Sequence, residues 1–162
     1  MNDVQDMDVF GFIKRERASA ETTYPTWSVD TAPYWMACAK GMLLYQVCDD
    51  CSSSVFHPRA ACPYCLGSRL TWRQSAGTGE IYSYSVQHVP IDRARPHPPR
   101  ALGVIHMDED WYMFSEIVCD DPYCLRIGQK VSVHFDEVAD DLVLPKFRPD
   151  ATGAAEGTSN EL

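Results

Sequence analysis

Two Cys-x-x-Cys pairs constrain this chain more than any other feature: Cys48-Asp-Asp-Cys51, a ten-residue gap, then Cys62-Pro-Tyr-Cys65. A two-residue gap lets a tight knuckle turn two thiolates toward one point, and two knuckles close a tetrahedron about a zinc ion. Gly67 follows the second pair closely, and Pro58 and Pro63 stiffen the connecting arch. Disulfides are disfavoured by the odd count of seven cysteines and by a charged start that does not read as a secretory leader. A redox Cys-x-x-Cys needs one pair rather than two. An iron site of rubredoxin type uses the same thiolates, and the spacing leaves that reading open. Four thiolates leave no position for substrate or water, so the expected ion is a structural Zn²⁺ on Cys48, Cys51, Cys62 and Cys65.

At 162 residues the chain is one ordinary domain or two very small ones, and its 45% hydrophobic content is ample for a core. No apolar run approaches the roughly 20 residues of a membrane span, so no membrane partner is expected and the reducing cytoplasm is the expected location. The net charge is −9, from 23 acidic and 14 basic residues. That balance argues against a partner bound mainly by phosphate neutralisation, such as bulk nucleic acid, while leaving room for one small anionic ligand at a local basic patch.

Four segments are expected in order: a helical segment over 1–41, the ribbon over 42–75, a barrel over 76–149 and a flexible tail over 150–162. Asp6 to Ala20 reads as an amphipathic helix, with Val9, Phe12 and Ile13 on one side and Lys14 to Arg17 as polar surface. A second, short helix should begin after Asp30 or Thr31, either able to cap it, and carry Tyr34, Trp35, Met36 and Cys38 until Gly41 stops it. Its aromatic surface packs either on the ribbon and barrel or against a partner. Met42 to Val47, Val55–Phe56 and Leu70 to Gln74 should be the ribbon strands, with Trp72 a buried anchor. From Gly77 the pattern is strands only: Glu80 to Val89, Ala101 to Met107, Tyr112 to Val118, Lys130 to Val138 and Leu142 to Phe147. In the first of these Ile81, Ser83 and Ser85 alternate with Tyr82, Tyr84 and Val86. Ile91 to Arg100, with three prolines, must be a loop. The expected fold is therefore mainly β with N-terminal helices, a rubredoxin-like zinc ribbon followed by a five-stranded OB-fold barrel.

Taken in order, several stretches resemble a known family of zinc-ribbon, OB-fold proteins associated with acyl-CoA enzymes, long described as a domain of unknown function. They are Ala32-Pro33-Tyr34-Trp35, the four cysteines, Phe56-His57-Pro58-Arg59, Gly67-Ser68, Gly77-Thr78-Gly79-Glu80-Ile81-Tyr82-Ser83-Tyr84, Ile127-Gly128-x-Lys130-Val131 and Leu144-Pro145-x-Phe147-x-Pro149. The match spans roughly residues 32–149 and does not reach the segment before Thr31. Two departures stand out: Ser52 where members often have Gly after the second Cys, and His57 where they often have Pro. The resemblance implies a non-catalytic accessory subunit beside a thiolase-fold catalytic subunit, two copies flanking a thiolase dimer, that helps hold or channel acyl-CoA. A chain without a fused hydratase domain resembles the thiolase settings more, with CoA-dependent cleavage of benzoylsuccinyl-CoA in anaerobic toluene breakdown the setting favoured.

The remaining residues carry little catalytic signal. Thiolase chemistry needs an activated Cys with a His nearby, and Cys38, Cys119 and Cys124 sit in no recognisable nucleophile motif. His88, His106 and His134 are scattered over strands. The chain is therefore expected not to catalyse alone. The best ligand-contacting stretch is His88 to Arg100, where Arg93, Arg95 and Arg100 suit the phosphates of coenzyme A, because guanidinium forks match phosphate oxygens. Phe56 to Arg59, and Lys146 with Arg148, are weaker candidates. Two alternatives stand: a single-stranded nucleic-acid binder stacking bases on Tyr82, Tyr84 and Tyr112, which the charge opposes, and a rubredoxin-like electron carrier.

Overall fold

The computed structural model of the chain describes residues 27–89, 97–139 and 142–150. The expected first helix, most of the proline-rich loop with Arg93 and Arg95, and the tail from residue 151 lie outside those residues. Helix α1, Ala32–Cys38, starts at Thr31 as expected and ends before Gly41, which takes φ +71°. The cap differs from expectation. The Thr31 hydroxyl accepts from Ser28 N–H at 3.0 Å and makes no cap bond to the helix. Part of the reason is Pro33, which stands where an N–H would otherwise face the cap oxygen and has none to give. Tyr34 and Cys38 are buried and Trp35 packs against the same core, so this helix spends its aromatic face inside the chain.

The ribbon is a three-stranded antiparallel sheet in the order β2-β1-β3, from β1 Leu44–Cys48, β2 Ser54–Val55 and β3 Leu70–Gln74. Trp72 is half-buried against the core. Five longer strands follow: β4 Thr78–Gln87, β5 Arg100–Met107, β6 Trp111–Ile117, β7 Lys130–Ala139 and β8 Leu142–Pro149. They form a closed barrel in the order β4-β5-β6-β8-β7, with β7 returning to β4. All pairs are antiparallel except β6 with β8. In β6 the alternation is strict: Trp111, Met113, Ser115 and Ile117 are buried and Tyr112 and Phe114 exposed. Strand β4 departs from the expected alternation. A bulge between Ile81 and Ser83 shifts the parity, so Ile81 and Tyr84 both pack inward and Tyr82 points out.

The barrel closes through a thin seam. Strands β6 and β8 share one parallel register pair, Ile117 with Phe147. Val118 N–H donates to the Phe147 carbonyl at 2.7 Å, and the buried Ser115 hydroxyl donates to the Pro145 carbonyl at 2.8 Å. Outside the seam Lys146 bridges Glu116 at 3.1 Å and Asp136 at 2.6 Å, tying β6, β8 and β7 together.

Ribbon and barrel share one core. Trp111 stacks on Tyr45 at 5.4 Å and meets Phe56 at 4.6 Å, and Phe56 in turn meets Tyr34 at 5.6 Å. The β5–β6 turn adds a polar clamp: Glu109 accepts from Ser54 Oγ through its carbonyl, and from Ser75 Oγ and Ala76 N–H through its carboxylate, at 2.7 to 3.0 Å. No described helix is long and apolar enough to cross a membrane.

Candidate metal centre

The four sulfurs of Cys48, Cys51, Cys62 and Cys65 lie within 4.8 Å of one another. Cys48 and Cys65 are 3.5 Å apart and Cys51 and Cys62 3.7 Å. Zn–S bonds of about 2.3 Å in a tetrahedron put sulfurs about 3.8 Å apart, so this donor set fits zinc. Each knuckle is built the same way. Ser52 N–H donates to the Cys48 carbonyl at 2.8 Å and Leu66 N–H to the Cys62 carbonyl at 3.0 Å. The residue after each second cysteine is left-handed, Ser52 at φ 60° and Leu66 at φ 63°. That explains why glycine suits the position of Ser52 so well. Gly67 leaves room for the Asp50 carboxylate, which pairs with Arg69 and would have to move aside for a Cβ there.

Cys48 and Cys62 are fully buried while Cys51 and Cys65 are exposed, so the site sits at the edge of the ribbon. The arch between the knuckles is held by a residue the sequence reading missed. Buried Gln46 accepts from Arg59 N–H at 2.8 Å and donates to the Arg59 carbonyl at 3.2 Å, fixing the arch to β1. A polar residue at an inward position of a strand was the available signal. His57 is exposed and is not part of the sulfur cluster.

The other thiols are poor nucleophiles. Burial pushes the Cys38 thiol up to about 12, and Tyr34, its neighbour one turn away, is raised well above its ordinary value by burial and then by Cys38. Cys119 is raised by burial and the charges of Asp121 and Asp120; Cys124 is raised by its bond to Asp121. None has histidine as a bonding partner among the described residues. His88 instead meets the Tyr123 hydroxyl at 3.2 Å, and His134 meets Arg148 at 2.9 Å.

Of the arginines expected to meet coenzyme A, Arg100 alone is described. One of its amino groups reaches Gln87 Oε1 at 3.4 Å, the other lies 4.0 Å from Glu116, and its Nε has no hydrogen-bond partner among the described residues.

Comparison with known proteins agrees with this architecture. A family model described as the ChsH2 rubredoxin-like zinc ribbon domain matches residues 35–71, and one described as the ChsH2 C-terminal OB-fold domain matches residues 72–136. A DUF35 domain-containing scaffold protein of Methanothermobacter thermautotrophicus is 30% identical over 95 residues, covering 58% of this chain and 71% of the relative. The chain belongs to the DUF35 family. A probable enoyl-CoA hydratase alpha subunit of Thermomonospora curvata is 30% identical over 129 residues, 77% of this chain, but this DUF35 chain spans only 39% of that protein. Among solved structures, one titled Ltp2-ChsH2(DUF35) aldolase matches with a TM-score of 0.70 and 29% identity, over 78% of this chain and 98% of that one. A DUF35 protein of Sulfolobus solfataricus, 10% identical over 72% of this chain and 82% of that one with a TM-score of 0.55, shares the fold.

Proposed function

We propose that this chain is a non-catalytic accessory subunit of a heteromeric acyl-CoA enzyme, bound to a thiolase-fold catalytic chain and helping to position acyl-CoA. The observation that carries the reading is the match to the Ltp2-ChsH2(DUF35) aldolase, which takes in 98% of that chain. The chemistry of the described residues supports it. The cysteine cluster has the donor set of a closed structural site, and the three remaining thiols are raised in pKa and have no histidine bonded to them among the described residues. The ribbon then serves to hold α1 and the β5–β6 turn in one rigid body, a scaffold for a partner rather than a reaction centre.

Within this reading the favoured reaction is CoA-dependent cleavage of a β-ketoacyl-CoA, benzoylsuccinyl-CoA being the substrate proposed. Arg93, Arg95 and Arg100 are proposed to meet the phosphates of coenzyme A at the shared site, the fork of each guanidinium matching phosphate oxygens. The test is to tag this chain, express it in its native host, identify any thiolase-fold chain that co-purifies, and assay the purified material for CoA-dependent cleavage. Co-purification with an activity that neither chain has alone is the expected result. Recovery of this chain by itself would refute the subunit reading.

A further inference from the structure

Tyr82, Tyr112 and Phe114 are 58%, 48% and 61% exposed, and they form one patch on the outer face of β4, β5 and β6. The strand register places them. Lys130, Glu80, His106 and Tyr112 form one row across four strands, and Val104 and Phe114 lie in the next row with Ser83. Tyr82 meets the edge of Tyr112 at 5.1 Å, and Tyr112 stacks on His106 at 4.7 Å. Aromatic side chains of this size, about half exposed, leave roughly 300 Å² of apolar surface, the size of the largest patch on a typical monomer, which is often functional.

The polar side of the same face is an open cleft of about 200 Å³ lined by Glu80, His106, Met107, Asp108, Asp110 and Lys130. Lys130 lies 3.4 Å from Glu80 and 3.8 Å from Asp108, and His106 lies 3.1 Å from Asp110. Three carboxylates against one lysine leave the cleft net negative. An aromatic platform with an acidic cleft beside it selects its occupant by charge. A nucleic acid, which the OB fold binds on its second and third strands, would set phosphates against these carboxylates. A second copy, meeting the same face across a two-fold axis, would set one acidic cleft near another in a chain of net charge −9.

We infer that this face docks the catalytic chain of the acyl-CoA enzyme through an apolar centre flanked by arginine or lysine side chains that enter the cleft. The inference rests on the subunit reading given above and adds the surface and the chemistry of the contact. Phe114 and Tyr82 are the apolar anchors, and Glu80 and Asp110 receive the partner's cations. Central aromatic anchors carry most of the energy of such contacts, and rim charges mainly set the association rate and its salt dependence.

The experiment measures binding of the purified chain to the thiolase-fold chains of its own organism, each purified, by calorimetry or interferometry at two salt concentrations. The wild type is compared with Tyr82→Ser/Phe114→Ser and with Glu80→Gln/Asp110→Asn, each first checked for wild-type melting temperature and zinc content. The aromatic variant should bind at least tenfold more weakly. The charge variant should bind more slowly and lose much of the salt dependence. Wild-type binding with both variants within twofold of it would overturn the docking face while leaving the subunit reading intact. Absence of wild-type binding would overturn both. Self-association of the wild type that the aromatic variant abolishes, or aromatic-dependent binding of a single-stranded oligonucleotide, would name a different occupant and overturn the inference.

Discussion

Replacing Trp111 with alanine should separate the ribbon from the barrel without removing the metal. Trp111 is 3% exposed, and its ring lies against Tyr45 and Phe56 from the ribbon while its backbone opens β6 of the barrel. The ribbon has little core of its own: Cys48, Val55 and Cys62, with Leu70 packed against them. Truncating a buried tryptophan costs about 3–5 kcal/mol, the two ring pairs included. For a chain of this size that corresponds to a fall of roughly 10 °C in melting temperature. Because the loss falls at the junction, melting of Trp111→Ala should broaden or split into two steps, and a chelator should strip the metal faster while the unchallenged protein still holds one ion per chain. Trp111→Phe is the control. Among the described residues the indole N–H has no hydrogen-bond partner, so phenylalanine keeps most of the ring contact and forfeits no bond to them. Calorimetry with a zinc-release assay decides the matter. A single transition within about 3 °C of wild type would mean that Trp111 does not couple the two parts.

Cys48→Ser should lose the metal and unfold the ribbon, since structural zinc contributes on the order of 10 kcal/mol to such modules; metal analysis of purified protein checks it, and full zinc occupancy would refute the site. Gly103→Ala should destabilise by about 1–3 kcal/mol, because a Cβ there would lie 2.7 Å from the Ser83 carbonyl and 2.8 Å from Ile117 Cδ1; urea unfolding measures it. Lys146→Gln should weaken the barrel seam in a pH-dependent way. The Lys146 bond holds the Asp136 carboxyl below its ordinary value, so that part of the stability is present above the unfolded carboxylate pKa of about 4 and is lost as pH falls through the folded value. Burial works against the Lys146 charge, but its bonds to Asp136 and Glu116 outweigh it and raise the ammonium; that part is present at neutral pH and lost as pH rises through the folded lysine value. The gap between wild type and variant should therefore be widest near neutrality and narrow as pH falls below about 4, and a gap that does not narrow on acidification would refute the sign.

The metal centre was legible because its requirements are local. Two turns and four thiolates are all written within residues 48–65, whereas the left-handed backbone at Ser52 and Leu66 is not announced by those residue types. The strands of the barrel were legible for a related reason, since Trp111–Ile117 alternates cleanly between core and solvent. What joins the parts was not legible. Glu109 looks like an ordinary acidic turn residue, and only the fold brings it to Ser54 and Ser75, which are 55 and 34 positions away. Gln46 likewise reads as a polar interruption of a strand until the arch returns to it at Arg59. The candidate ligand patch was read from charge alone, and for Arg100 the fold spends part of that charge on Glu116.

The aromatic face shows how much can turn on a single residue of register. With strict alternation along β4, Tyr82 and Tyr84 share a side, and whichever way the strand is turned either both are buried or both exposed. The bulge after Ile81 breaks that link. Tyr84 goes inward, where its hydroxyl donates to the Leu125 carbonyl at 2.6 Å and secures the loop before β7, while Tyr82 turns out to meet Tyr112. One tyrosine is thus used for stability and the other left on the surface. In β6 the outward Phe114 is paired in register with Val104, which accounts for part of its apolar surface, yet 61% of it stays exposed. The apolar surface that Phe114 still shows to solvent beside Tyr82 and Tyr112 is of the kind that marks a contact with something outside the chain, and the acidic cleft beside it limits what that something can be.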